Sequence, residues 1–157
     1  MRIQLCQSSN SSILSYLQKS GEWLFQRKLD GARCLAIDGK LFNRGRGTKN
    51  DETNRDITEL FPEITAPPNW TLDGELIGKD LGDVVGRQLL QNRFEMEIRA
   101  KRNPCRLIVF DVLMADGEDI RTKPLTERMK YFEKIPTAKG IETVSYTHLT
   151  LPTKRIV

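Results

Sequence analysis

Ala32-Arg33-Cys34-Leu35-Ala36-Ile37-Asp38-Gly39-Lys40-Leu41-Phe42, residues 32–42, reads as a strand, a two-residue turn and a second strand. The Asp-Gly pair between two apolar stretches is the signal. A tight hairpin turn needs positive φ at its centre, which Asp followed by Gly tolerates. Such a hairpin makes the local pairing antiparallel. Upstream, serines at 11 and 12 followed by Ile13, Leu14 and Leu17 predict a short helix ending near Gly21. Trp23–Arg27 is expected to form a strand joined to 32–37 through a turn at Lys28–Gly31.

Downstream, Asn43–Asn54 is polar and basic and predicts an exposed loop before a weak helix near Asp56–Leu60. Pro62, Pro67 and Pro68 punctuate the approach to a strand over Trp70–Ile77. Apolar residues at 85, 89, 90, 94 and 98 fall near helical spacing and predict one helix from Val84 to about Arg102. Arg106–Met114 is the clearest strand, its near-continuous apolar run implying burial on both faces. Asp116-Gly117 turns the chain, and Leu125–Ile135 reads as an amphipathic helix behind Pro124. Hairpin-joined strands with occasional helices describe an α+β fold of mostly antiparallel sheets with flanking helices.

A chain of 157 residues supports one compact domain with a core of its own. With 38% hydrophobic and 29% charged residues and a mean hydropathy of -0.47, the composition lies outside the disordered range. No apolar run approaches the ~20 residues needed to cross a bilayer, and the N-terminus lacks the pattern of a secretory signal. A cytoplasmic location without a membrane partner is expected. Cys6, Cys34 and Cys105 are far apart and lack CxxC spacing, so they read as reduced packing residues. A net charge of +4 suits a polyanionic partner, and the clusters Arg44/Arg46/Lys49 and Arg99/Lys101/Arg102 point the same way. The threonine-rich segment 144–157, with the lone His148, reads as a non-native or disordered tail behind a domain spanning 1–143.

Chemistry concentrates in Lys28-Leu29-Asp30-Gly31-Ala32-Arg33, Asp73-Gly74-Glu75 and Phe110-Asp111. An amine attacks phosphorus only when neutral, which the ordinary lysine pKa of ~10.4 makes rare at pH 7. A site that uses one must bring cations near it, and Arg27 and Arg33 lie close in sequence. Asp30 is placed to orient the amine or to bridge to a metal. Each residue also has a plainer reading: Lys28 as a solvated turn residue, Glu75 as a strand-end charge, Phe110 as core, Arg44 as surface. Taken singly, these plainer readings are the stronger ones.

The pattern Lys-x-Asp-Gly-x-Arg resembles the nucleophile motif shared by ATP-dependent DNA ligases, RNA ligases and mRNA-capping guanylyltransferases. The resemblance implies a catalytic Lys28 that becomes nucleotidylated, with Asp30, Gly31, Arg33, Arg44, Glu75 and Phe110 binding the nucleotide. Arg33 and Glu75 would contact the sugar and Phe110 would stack on the purine. It further implies ATP and Mg²⁺ as cofactors, with Asp30 and Glu75 as candidate metal ligands, in an ATP-grasp-like nucleotidyltransferase domain.

Leu41-Phe42-Asn43-Arg44-Gly45, Trp70-Thr71-Leu72-Asp73-Gly74-Glu75 and Pro124-Leu125-x-x-Arg128 look most like the ATP-dependent DNA ligases. That family implies nicked double-stranded DNA as partner, a monomer, and ATP rather than NAD as donor, because only 27 residues precede the lysine. Gln26 departs from the glutamate usual two residues before it. The family's later glutamate and Lys-x-Lys segments are not recognised, so the resemblance covers about residues 22–135. A truncated domain, weak or inactive by itself, is expected. An RNA ligase, a capping-type guanylyltransferase and a non-catalytic nucleotide or nucleic-acid-binding module remain the alternatives.

Overall fold

The structure is a computed structural model that describes residues 11–20, 23–24, 26–43 and 55–145. By its contacts the chain divides into two units, residues 29–144 and residues 1–28 with 145–157. Within the smaller unit, helix α1 spans Ser11–Ser20, where the serine-led apolar pattern places it.

The larger unit is an α+β fold. In chain order it contains β1 (Ala32–Ile37), β2 (Lys40–Asn43), β3 (Arg55–Asp56), β4 (Thr71–Ile77), helices α2 (Leu81–Arg87) and α3 (Arg93–Arg102), β5 (Arg106–Ala115), β6 (Glu118–Asp119), a short α4 (Leu125–Arg128) and β7 (Ile141–Thr143). The described strands form one sheet in the order β3-β2-β1-β4-β5-β6, with β7 also on β5. All pairings are antiparallel except β5 with β7.

The β1–β2 hairpin is as the sequence predicts. Ile37 pairs Lys40 across a turn in which Asp38 (φ 44°) and Gly39 (φ 81°) both sit at positive φ. That turn matches the right-handed twist of the strands it joins. A second Asp-Gly pair, Asp116 (φ 48°) and Gly117 (φ 84°), turns β5 into β6.

The core lies on one face of the sheet. Leu41, Leu72, Leu76, Leu107, Val109 and Val112 are fully buried and meet Phe61, Trp70 and Ile120 from the connecting segments and Val84 and Met96 from α2 and α3. Each large apolar side chain so buried contributes about 1.5–3 kcal/mol. The Trp70 indole, which carries a donor into this core, gives it to Asp116 Oδ1 at 2.9 Å.

One charged pair is buried with the core. Arg87 of α2 is fully enclosed, donates to Glu63 Oε1 and to the Asn103 carbonyl oxygen (2.7 Å), and lies over the Phe61 ring, 5.3 Å from its centroid. Glu63 Oε1 also accepts from the Cys105 N–H at 2.8 Å. This network ties the segment before β4 to α2 and to the start of β5.

Several sequence expectations are corrected. No strand forms among the described residues of Trp23–Arg27, because β1 already has β2 on one side and β4 on the other and offers no open edge. The single helix expected over 84–102 is two, divided at 88–92. There Asn92 Oδ1 accepts from the N–H groups of Phe94 (3.0 Å) and Glu95 (3.4 Å) and starts α3 afresh. The signal was present as Asn92-x-x-Glu95, the spacing of a capping box.

Near 56–60 the expected helix is a two-residue strand followed by a 3₁₀ turn at Thr58–Leu60. Beyond Pro124 one α-helical turn tightens into 3₁₀ over Met129–Lys134. β5 is fully buried on one face and only partly on the other. Residues 44–54 and 146–157, which hold the basic loop and His148, lie outside the described residues. Among the described residues no helix is long and apolar enough to cross a membrane.

Glu63→Ala should cost about 3–5 kcal/mol in a denaturant titration, because it strands the Arg87 charge in the core. Burial pushes the Cys34 thiol up to about 12 and the Cys105 thiol up to about 11. Neither should react with iodoacetamide at pH 8 until the protein is unfolded, since the thiolate is the nucleophile. Site-resolved mass spectrometry checks this.

Candidate active site

β4 organises the site by alternation. Leu72, Gly74 and Leu76 point into the core, so Asp73 and Glu75 point to the opposite face. On that face Glu75 lies directly across from Arg33 of β1, while Asp73 lies across from Asp111 of β5.

Arg33 reaches diagonally to Asp73 rather than staying on its register partner. Its Nε donates to Asp73 Oδ1 at 2.9 Å and its Nη2 to Oδ2 at 2.5 Å, the two-toothed fit of a guanidinium on a carboxylate. The same guanidinium stands over the Phe110 ring, 5.3 Å from Cζ to the centroid. Burial pushes the Asp73 carboxyl above its usual value, the Arg33 hydrogen bonds and charge pull it down, and the Asp111 charge pushes it up again.

Phe110 and Asp111 are consecutive and would point to opposite faces of a regular strand. The register prevents this: Asp73 pairs Asp111, yet the next residue, Gly74, pairs Val109, leaving Phe110 as the extra residue of a β-bulge. Such a bulge re-aims side chains locally, and here the Phe110 ring reaches Arg33 while Asp111 stays beside Asp73. Asp111 is held by Arg128, the last residue of α4, whose Nε and Nη2 donate to Oδ1 at 2.8 Å and Oδ2 at 2.7 Å. Its Nη1 donates to the Lys123 carbonyl oxygen at 2.5 Å. Two arginine–aspartate pairs thus stand side by side across three strands and a helix end, in the order Arg33, Asp73, Asp111, Arg128.

Gly31 stands in close approach to β4. A Cβ there would overlap the Leu76 carbonyl oxygen and stand 2.6 Å from Ile77 Cδ1 and 2.9 Å from Glu75 Cγ. Asp30, the residue before Gly31, is exposed, and Glu75 is half-buried. Among the described residues no three His, Cys, Asp or Glu side chains gather to hold a metal ion. Mg²⁺ is usually bound by one or two carboxylates together with substrate phosphates.

Of the residues singled out from sequence, Gly31, Arg33, Glu75 and Phe110 come together in the larger unit, and Asp30 precedes Gly31 as an exposed residue. Lys28 is exposed and closes the smaller unit, one bond before Leu29. Arg44 lies outside the described residues. Sequence reasoning gave no role to Asp73, Asp111 or Arg128. For Asp73 the signal was there, since Asp73 and Glu75 are two apart on a strand and must share a face. The surface depression lined by Asp83, Glu95, Ile98, Arg99 and Arg102 contains none of these residues.

Residues 3–153 match a family model described as ATP dependent DNA ligase domain. A probable DNA ligase of Streptomyces coelicolor is 33% identical over 135 residues, covering 76% of this chain and 25% of that protein. The SPbeta prophage-derived DNA ligase-like protein LigB of Bacillus subtilis is 35% identical over 115 residues, 68% of this chain and 38% of its own length. The chain thus spans between a quarter and two-fifths of these relatives. Among solved structures, a mycobacterial DNA ligase D complexed with ATP and MES aligns with a TM-score of 0.47 and 21% identity, over 78% of this chain and 39% of that one.

Gly31→Ala should destabilise the protein by about 1–3 kcal/mol, because the added methyl meets backbone that cannot retreat. A thermal melt reads this directly.

Proposed function

This chain belongs to the ATP-dependent DNA ligase domain family, and from that premise we propose that it supplies the nucleotide-charging site of a ligase that seals nicked duplex DNA. Lys28 Nζ attacks the α-phosphorus of ATP, a P–N bond forms, and pyrophosphate leaves. The AMP then moves to a 5′-phosphate at the nick, and the adjoining 3′-hydroxyl displaces it to form the phosphodiester.

The observation that carries this reading is the gathering of Arg33, Glu75 and Phe110 from three strands onto one face beside Gly31 of the lysine motif. A carboxylate and a guanidinium suit ribose hydroxyls, and an aromatic ring offers a purine a stacking partner worth about 1 kcal/mol. Asp30 and Glu75 would hold Mg²⁺, which when bound offsets phosphate charge. Asp73 and Asp111 are each engaged by an arginine, so they orient their partners rather than hold the ion. The net charge of +4 favours association with the DNA backbone. On this reading the enzyme works as a monomer in the cytoplasm.

Prolonged incubation of the chain with α-labelled ATP and Mg²⁺ should give a covalent, acid-labile label, as expected of a phosphoramidate. Lys28→Ala should abolish it. Label retained in Lys28→Ala, or label from GTP but not ATP, would overturn the assignment; the GTP result would favour a guanylyltransferase.

A further inference from the structure

We propose that Arg128 is a positioning residue for the nucleoside side of the site, holding Phe110 and Arg33 in place through the two aspartates between them. The proposal rests on the reading that Arg33, Glu75 and Phe110 receive a nucleotide.

Arg128 touches neither Phe110 nor Arg33 through any of its three hydrogen bonds given above. Two of them fork onto Asp111 and the third goes to the carbonyl oxygen of Lys123, two residues before α4 begins. The guanidinium is thereby pinned in its plane from both sides, and only 14% of the side chain is exposed. α4 is four residues long, too short to persist by itself, so its attachment to β5 is part of what defines it.

Asp111 is the residue that needs such an anchor. It follows the bulged Phe110, where the ladder to β4 is interrupted, and backbone pairing alone fixes its direction less firmly than on a regular strand. It also faces Asp73, a like charge directly across the sheet. Each carboxylate is tolerable there because each has its own arginine.

Loss of the Arg128 fork leaves Asp111 uncompensated beside Asp73. Asp111 then competes for Arg33, the cation nearest to that pair on the other side. Arg33 moves off the Phe110 ring, and the bulge that presents the ring loses its tie. Arg33, one of the two groups assigned to the ribose, and Phe110, assigned to the purine, are displaced together. Lysine at 128 keeps the charge but lacks the planar fork, so Arg128→Lys separates geometry from charge.

The test uses the full chain in three forms: wild type, Arg128→Gln and Arg128→Lys. Arg128→Gln removes the fork together with its charge, and Arg128→Lys, which keeps a cation without the fork, serves if the first variant does not fold. In the nucleotide-free protein, the Phe110 ring resonances and the Arg33 Nε–H resonance should shift in both variants. Titrations with AMP and with ATP should each lose about ten-fold in affinity, the scale on which remote misplacement acts, with the same factor for both ligands because the lost contacts are to the nucleoside.

Unmoved Phe110 and Arg33 resonances in a folded variant would overturn the relay, as would unchanged affinity for both ligands. If wild type binds neither AMP nor ATP while the resonances still shift, the nucleotide reading fails and the relay stands. If wild type binds and the folded variants bind equally well, the relay fails and the nucleotide reading stands.

Discussion

β4 lies between β1 and β5 with partners on both sides, and its two-residue alternation governs the rest of the larger unit. One set of side chains, Leu72 and Leu76 with Gly74 between them, is committed to the core. The other set, Asp73 and Glu75, is committed to the opposite face by the same geometry. A one-residue slip would turn two carboxylates into the apolar core and two leucines out of it, so the register is specified by a large free-energy difference. Gly74 adds a steric condition: a Cβ there would stand 2.6 Å from the Ile108 carbonyl oxygen, which fixes how closely β5 packs.

The polar face built on that constraint is unusual in using ion pairs to direct other groups. Asp73 is largely buried, which on its own disfavours its charge, and the forked Arg33 makes the ionised form tolerable. In return Arg33 is held over Phe110. Asp111 and Arg128 repeat the arrangement one strand along. Inside the core, Glu63 and Arg87 do something different: both are buried and they join three segments distant in sequence. Such a pair has large consequences when broken, whatever its net worth when intact.

Much of this was readable before the coordinates. Both Asp-Gly hairpins and the positions of β1, β2, β4 and β5 follow from local chemistry, because positive φ and period-two burial leave marks on residue type. What failed had tertiary causes, except over residues 84–102, where the cause is a local cap. Trp23–Arg27 has the composition of a strand, but β1 had no free edge to give it. Residues 84–102 have helical periodicity throughout, yet the Asn92 cap restarts the helix, and a periodicity count is blind to a single capping side chain. The Phe110-Asp111 bulge has no residue signature at all, since it arises from how β4 and β5 meet.

The sequence by itself determined the strand and turn chemistry, the alternation that puts Asp73 and Glu75 on one face, and the lysine motif whose Gly31 admits close approach. These are properties of single residues and their immediate neighbours. Only the tertiary structure decided that Phe110 joins Arg33, that Asp111 stands against Asp73, and that Arg128 from a distant helical turn secures it. Those depend on the register between strands and on which charges end up within reach of one another, and neither is encoded at any one position.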